Sequence, residues 1–289
     1  MKDIKKLIRH TLSPFYSASD VRAIERAVCL EALKVSVADY YCDKDTKLSA
    51  EKQALLHEIL QRLVAKEPLQ YVLGEASFYG CQFKVTPSVL IPRPETAELV
   101  DKVVHVLEEN FLSAPVVLDI GTGSGCIAIS IAKQMPCAEV YAWDLSVDAL
   151  LVAKENAVRL DAKVSFSQQD MLQPDEAVLA ELDHQVDVLV SNPPYVRELE
   201  RNTMASQVLD HEPHMALFVP DQDALWCYKA LARIGNRVLK PNAWIMVEIN
   251  QYLSKETKNV FVDAGYEQVE SFKDIYGNDR IVIAQKNMF

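Results

Sequence analysis

VVLDIGTGSGCIAISIA, Val116 to Ala132, is the stretch on which the reading of the fold turns. A β-rich run ends at Asp119 and Ile120, glycines follow at 121, 123 and 125, and an apolar stretch of helical character begins near Cys126. This is a strand, a tight loop and a helix. Glycine at alternate positions lets the backbone turn sharply and approach a ligand with no Cβ in the way, which makes Gly121, Thr122, Gly123, Ser124 and Gly125 a candidate binding loop. It is not a P-loop, because no Gly-Lys-Ser/Thr follows, and its spacing differs from the dinucleotide GxGxxG. A second β run, Ala138 to Trp143, ends in Asp144, about twenty residues on, where Rossmann-like folds place an acid on ribose hydroxyls. Asp144 is therefore read as a ribose ligand, with an ordinary strand-end or helix-capping acid before the helical stretch Leu145 to Leu160 as the lesser alternative.

Downstream the alternation continues. Val186 to Val190 (VDVLV) reads as a buried strand and a helix is expected near Asp223 to Leu239. Ala243 to Ile249 is the next strand, with a helix from about Ser254 to Ala264, a pattern that argues for a parallel sheet. Tyr266 to Phe272 and Arg280 to Gln285, joined through Gly-Asn-Asp, suit a closing antiparallel hairpin. At the carboxyl end of the VDVLV strand, where open α/β sheets place ligands, stands NPPY, Asn192 to Tyr195. Asn192 offers a side-chain carbonyl and Pro193 a backbone one, and each proline restrains the residue before it. Two fixed acceptors suit one planar NH2 group, and Tyr195 offers an aromatic face. Taken alone, the four letters would mean a Pro-rich turn.

The chain has 289 residues and a formal charge of −11, which argues against a surface that tracks phosphates. Up to Gln70, Lys and Arg number twelve against ten Asp and Glu, so the acidity lies in the remainder. Six cysteines without CxxC spacing read as small buried hydrophobes in a reducing cytoplasmic setting. No stretch is long and apolar enough to suggest a membrane span. Met1 to about Val64 reads as helices: Ser17-x-x-Asp20 and Ser49 are start signals, and Val21, Ile24, Val28, Leu55, Leu56, Ile59 and Leu63 are candidate core. Gln70 to Val85 alternates as a β-hairpin would, and a helix is expected to begin near Pro94. The segment Val196 to Asp221 is long for a loop and is expected to form part of a protein-substrate surface. His211, Glu212 and His214 do not have HExxH spacing, so the expectation is a solvated loop and no metal site.

With DxGxGxG, the acid after the next strand and NPPY after the fourth, the chain resembles the class I S-adenosylmethionine-dependent methyltransferases. Within them it is similar to the protein-glutamine N5-methyltransferases of peptide chain release factors. Further segments carry that resemblance: Glu67 to Gly80, LIPRPETAELV at Leu90 to Val100, HEPHMALF at His211 to Phe218, and Phe272 to Ala284. The second proline of IPRPET separates it from the related enzymes for a ribosomal-protein glutamine.

The resemblance implies an α/β fold, with a mostly parallel seven-stranded Rossmann-like sheet ending in an antiparallel hairpin. Its domains would be a helical substrate-recognition domain at 1–69, a hairpin linker at 70–86 and the methyltransferase domain at 87–289. It implies S-adenosyl-L-methionine as cofactor, S-adenosyl-L-homocysteine as product, and the glutamine of a release-factor GGQ motif as acceptor. The cofactor would be held by Asp119, the Gly121 to Gly125 loop, Asp144, Asp170, Met171 and Asn192; an aromatic residue is common at the position of Met171. Asn192, Pro193, Pro194 and Tyr195 would hold the acceptor, with Pro92, Arg93 and Glu95 shaping the mouth. Two other readings stand beside this one. An adenine-N6 nucleic-acid methyltransferase would use the same two acceptors, though its flipped base and basic surface suit this acidic chain poorly. A cofactor-binding scaffold without turnover would need neither.

Overall fold

The computed structural model describes residues 1–44, 47–110 and 113–288. Its contacts divide it into two units: Met1–Glu75 with Ala205–His211, and Ala76–Met204 with Glu212–Phe289. In the first, helices occupy Lys2–Leu12, Ala18–Ala27, Val37–Tyr41, Ala50–Val64 and Leu69–Leu73. Ser17 and Ser49 each accept a backbone N–H three residues on, from Asp20 and Lys52, and so cap the helices they precede. Ile8, Leu12, Val28, Leu33 and Leu63 are fully enclosed in this unit's core. Leu55, expected among them, is 39% exposed, because it lies a quarter-turn off the stripe formed by Leu56, Ile59 and Leu63. The alternating stretch after Pro68 is not all strand. Leu69–Leu73 is a helical turn, stopped by Gly74 at φ 75°, and the hairpin is only Glu75–Phe78 with Cys81–Lys84.

The second unit is built on a seven-stranded sheet: β1 (Val116–Ile120), β2 (Glu139–Asp144), β3 (Ser165–Gln168), β4 (Val186–Ser191), β5 (Leu239–Glu248), β6 (Tyr266–Lys273) and β7 (Asp279–Lys286). The spatial order is β6-β7-β5-β4-β1-β2-β3. The first five strands are mutually parallel, and β7 lies antiparallel to both β5 and β6. Alternation sends neighbouring residues to opposite faces: Val117, Val188 and Val190 enter one core, Leu118, Ile120 and Leu189 the other. Helices Thr96–Glu109 and Cys126–Gln134 cover the first face; Trp226–Val238 and Ser254–Asp263 cover the second. Every residue of β4 is buried, which explains why it reads as an almost continuous apolar run.

Between β4 and the next long helix, Val196–Arg197 pairs in parallel with Phe218–Val219, and a 3-10 turn at Glu198–Thr203 and a helix at Ser206–His211 fill the interval. Cys29, Cys126 and Cys227 are buried as expected of small hydrophobes, but Cys42 and Cys137 are exposed, each on a turn outside the core. Among the described residues, no helix is long and apolar enough to cross a membrane.

Candidate active site

All the chemistry-bearing segments meet at the carboxyl ends of the parallel strands. After β1 the chain turns through Gly121, Gly123 and Gly125, with φ of 77°, 57° and 81°. The N–H groups of Gly121 and Thr122 both donate to the Trp143 carbonyl on β2, at 2.8 and 3.0 Å, which ties the loop to its neighbour. A Cβ at Gly121 or Gly123 would meet nothing within 4 Å, so both open onto space; at Gly125 it would stand 2.8 Å from Ile129 Cδ1. Gly125 therefore serves close helix packing, and the other two serve access.

Two acids flank the loop. Asp119 is fully buried; its Oδ2 accepts from the Thr122 hydroxyl at 2.7 Å and the Ala128 N–H at 3.3 Å, while Oδ1 has no hydrogen-bond partner. Burial raises its pKa to about 7, against the lowering effect of those two donors. Asp144 ends β2 and accepts from the Gly123 N–H and the Ser146 N–H, each at 2.8 Å. Burial moves its pKa upward too, and the backbone donors of Ser146, Gly123 and Leu145 pull it back.

One cavity collects the expected residues from several elements. Gly121, Thr122, Gly123 and Ser124 line it, together with Asp144, Asp170 and Met171. So do Asn192 and Pro194 after β4, Pro92 and Arg93 from the segment before the first sheet helix, and Pro213, Met215 and Ala216. Asp119, Gly125, Glu95, Pro193 and Tyr195 are not on its wall. Tyr195, expected as an aromatic face, is partly buried, packs against one of the sheet's two cores and donates its hydroxyl to Glu248 Oε1 at 3.0 Å. An apolar pocket and the nearby charge of Glu248 push its pKa well up, so it stays a proton donor.

Several site residues lay outside the sequence reading. Glu248, the last residue of β5, is 1% exposed and accepts from Thr96 Oγ1 at 2.6 Å as well as from Tyr195. Thr96 Oγ1 in turn accepts from Asn192 Nδ2 at 3.2 Å. Asn250 Nδ2 donates to the Tyr195 carbonyl at 3.1 Å and holds the motif's far end. Glu248 carried a signal: it is an acid closing an apolar strand, like Asp144. Within HEPH, His214 is exposed, as a solvated loop would have it, and His211 is half-buried, but Glu212 departs from that expectation. It is buried, accepts the Ile91 N–H at 3.2 Å and pairs with Arg93 Nη2 at 2.6 Å. The histidines around it gave no sign of these partners, which lie about 120 residues upstream. Among the described residues, no group of His, Cys, Asp and Glu could hold a metal ion.

A sheet ordered in this way, with a glycine loop after β1, an acid closing β2 and NPPY after β4, defines a methyltransferase of the Rossmann-like class. Residues 96–218 match the family described as methyltransferase small domain, and residues 6–74 match the PrmC N-terminal domain. The release factor glutamine methyltransferase of Bacteroides thetaiotaomicron is 45% identical over 99% of this chain and 100% of its own. That of Flavobacterium psychrophilum is 41% identical over 88% of each. Among solved structures, the 16S rRNA N2 G1207 methyltransferase of T. thermophilus, in complex with AdoMet and guanosine, shares the fold. Its TM-score is 0.54 at 18% identity, over 74% of this chain and 50% of that one. The chain belongs to the release factor glutamine methyltransferase family.

Proposed function

We propose that this chain transfers a methyl group from S-adenosyl-L-methionine to the side-chain amide nitrogen, N5, of the glutamine in the GGQ motif of a peptide chain release factor. One observation carries the reading: the glycine loop, Asp144 and Asn192 line one cavity, so a cofactor on the loop and an amide at NPPY would share one space.

The residues suit the cofactor. Asp119 Oδ1 is a buried acceptor without a partner, suited to an ammonium, and Gly121 and Gly123 leave the backbone bare. Asp144 has its two oxygens anchored by backbone donors, with lone pairs left to chelate a ribose diol. Asp170 and Met171 line the same cavity, where they would meet the base. When bound, S-adenosyl-L-methionine supplies an electrophilic methyl on a sulfonium.

The chain's task is then to make an amide nitrogen nucleophilic. That nitrogen is poor at attack because its lone pair is delocalised into the carbonyl. Asn192 Oδ1 and the Pro193 carbonyl accept its two hydrogens, favour a pyramidal nitrogen and stabilise the positive charge it gains. Pro193 and Pro194 hold those acceptors still. The alkylated nitrogen is acidic and loses its proton to water, so no histidine base is needed. Pro92 and Arg93, on the cavity wall, would shape the mouth through which the glutamine enters, with Glu95 beside them in the chain.

The test is mass spectrometry of release factors incubated with labelled S-adenosyl-L-methionine. The GGQ glutamine acquires one methyl, an asparagine in its place acquires none, and Asn192→Ala lowers turnover by roughly 10² while cofactor affinity changes little. Labelling of adenine-containing nucleic acid with release factors left untouched would replace this reading.

A further inference from the structure

An asparagine side chain has two chemically opposite ends, and nothing in NPPY itself says which one faces the cavity. The distances around Thr96 do. A threonine hydroxyl has one proton, and at 2.6 Å Glu248 Oε2 takes it, a separation typical of a hydroxyl on a carboxylate. Having donated, Thr96 Oγ1 has only lone pairs to offer. The group 3.2 Å away must therefore be the Asn192 NH2 end. The amide is planar, so Oδ1 is turned to the other side, and Asn192 lines the cavity.

Glu248 is the origin of this polarity. It is buried at the end of β5, and burial pushes its pKa up; the hydroxyls of Thr96 and Tyr195 and the charge of Arg280 favour the anion. Its backbone carbonyl is pinned by the Tyr228 hydroxyl at 3.1 Å. Its two carboxylate oxygens thus reach both ends of the tetrapeptide: Oε2 acts on Asn192 through Thr96, and Oε1 holds Tyr195 directly.

We propose that Glu248 and Thr96 are positioning residues that fix Asn192 with Oδ1 toward the acceptor, and so set the site to take an NH2 group and refuse a carboxylate. The inference rests on the reading of Asn192 as the acceptor's grip. A flipped Asn192 would place Oδ1 against an oxygen whose proton is already spent, and the unmade hydrogen bond disfavours that arrangement by roughly 10- to 100-fold. The site is then lined by acceptors where the substrate nitrogen arrives. A glutamine satisfies them; a glutamate at the same place brings two more acceptors and a charge.

The experiment measures turnover, cofactor affinity, and the binding of an intact release factor carrying either glutamine or glutamate at the acceptor position. It uses the full chain and its Thr96→Val, Thr96→Ser, Glu248→Gln and Asn192→Ala variants. In the parent the glutamate form binds at least ~10²-fold more weakly. Thr96→Val removes the hydroxyl, keeps the shape and keeps the Glu248 charge. It narrows that ratio about tenfold and lowers kcat by about the same factor, with cofactor affinity within about twofold. Thr96→Ser restores both. A merely loosened site would weaken both factors in proportion and leave the ratio alone. Should Thr96→Val fail to fold by circular dichroism, Glu248→Gln reads the same ratio, and narrowing is again expected. Parental discrimination in whichever of the two folds overturns this inference while leaving Asn192 in place. Near-parental turnover in Asn192→Ala overturns the underlying reading and this inference with it.

Discussion

Asp119 is where the fold accepts a cost. Its ordinary pKa of 3.8 rises to about 7 because the carboxyl is fully buried with one oxygen unpartnered. Between those values the folded chain keeps a proton that the unfolded chain has lost. Its contribution to stability therefore falls as pH rises from about 4 to 7, by roughly 1.4 kcal/mol per pH unit at most. Asp119→Asn has no proton to lose, so relative to the parent it should gain stability from pH 4.5 up to about pH 7, where the parent's loss is complete, and hold that gain to pH 8. Denaturant unfolding of both proteins at the two ends of that range measures this, and parallel curves would show that Asp119 is not the titrating group. The variant should also bind S-adenosyl-L-methionine more weakly, because an amide no longer attracts an ammonium.

At the scale of elements, two segments of the cavity wall are joined by an ion pair in which Glu212 is buried and Arg93 is about a third exposed. Glu212 holds both the Ile91 N–H and Arg93, and so ties the segment bearing Pro92 and Arg93 to the segment bearing Pro213, Met215 and Ala216. Glu212→Ala leaves a buried N–H and a cation without their partner. A loss of about 2 kcal/mol in unfolding free energy is expected, chiefly from the unpaired Ile91 N–H, with cofactor affinity falling alongside it; calorimetric titration that finds parental affinity would detach this wall from binding. Elements such as these also mark the limit of what the sequence discloses. The central strands β1, β4 and β5 were legible because burial leaves apolar runs bounded by turns, and the loop was legible because three glycines at alternate positions favour its left-handed φ angles. The helical turn Leu69–Leu73 was not, since five residues do not complete a helical period that alternation cannot imitate. Thr96, Glu212 and Glu248 were missed as partners for a different reason: their contacts span 96, 121 and 152 residues. Local pattern carries no record of pairings at that distance.

At the scale of the whole molecule, a helical unit with its own core accompanies a catalytic unit that carries nearly all the net negative charge. A glutamine side chain alone offers few atoms to recognise, so most of the binding energy must come from surface remote from the reacting nitrogen. An intact release factor should therefore exceed a short peptide with the same glutamine by at least ~10² in kcat/KM. Equal values would confine recognition to the cavity. The sheet has a further consequence, for synthesis. β7 is the last of its strands in the chain, yet it enters between β5 and β6, and its Ile281 sits opposite Glu248. While translation is still short of Asp279, β5 presents an open edge, β6 has no strand to pair with, and the residue that orients Asn192 is not yet held from that side. A nascent chain that lacks β7 is thus expected to be inactive and exposed to edge-to-edge association.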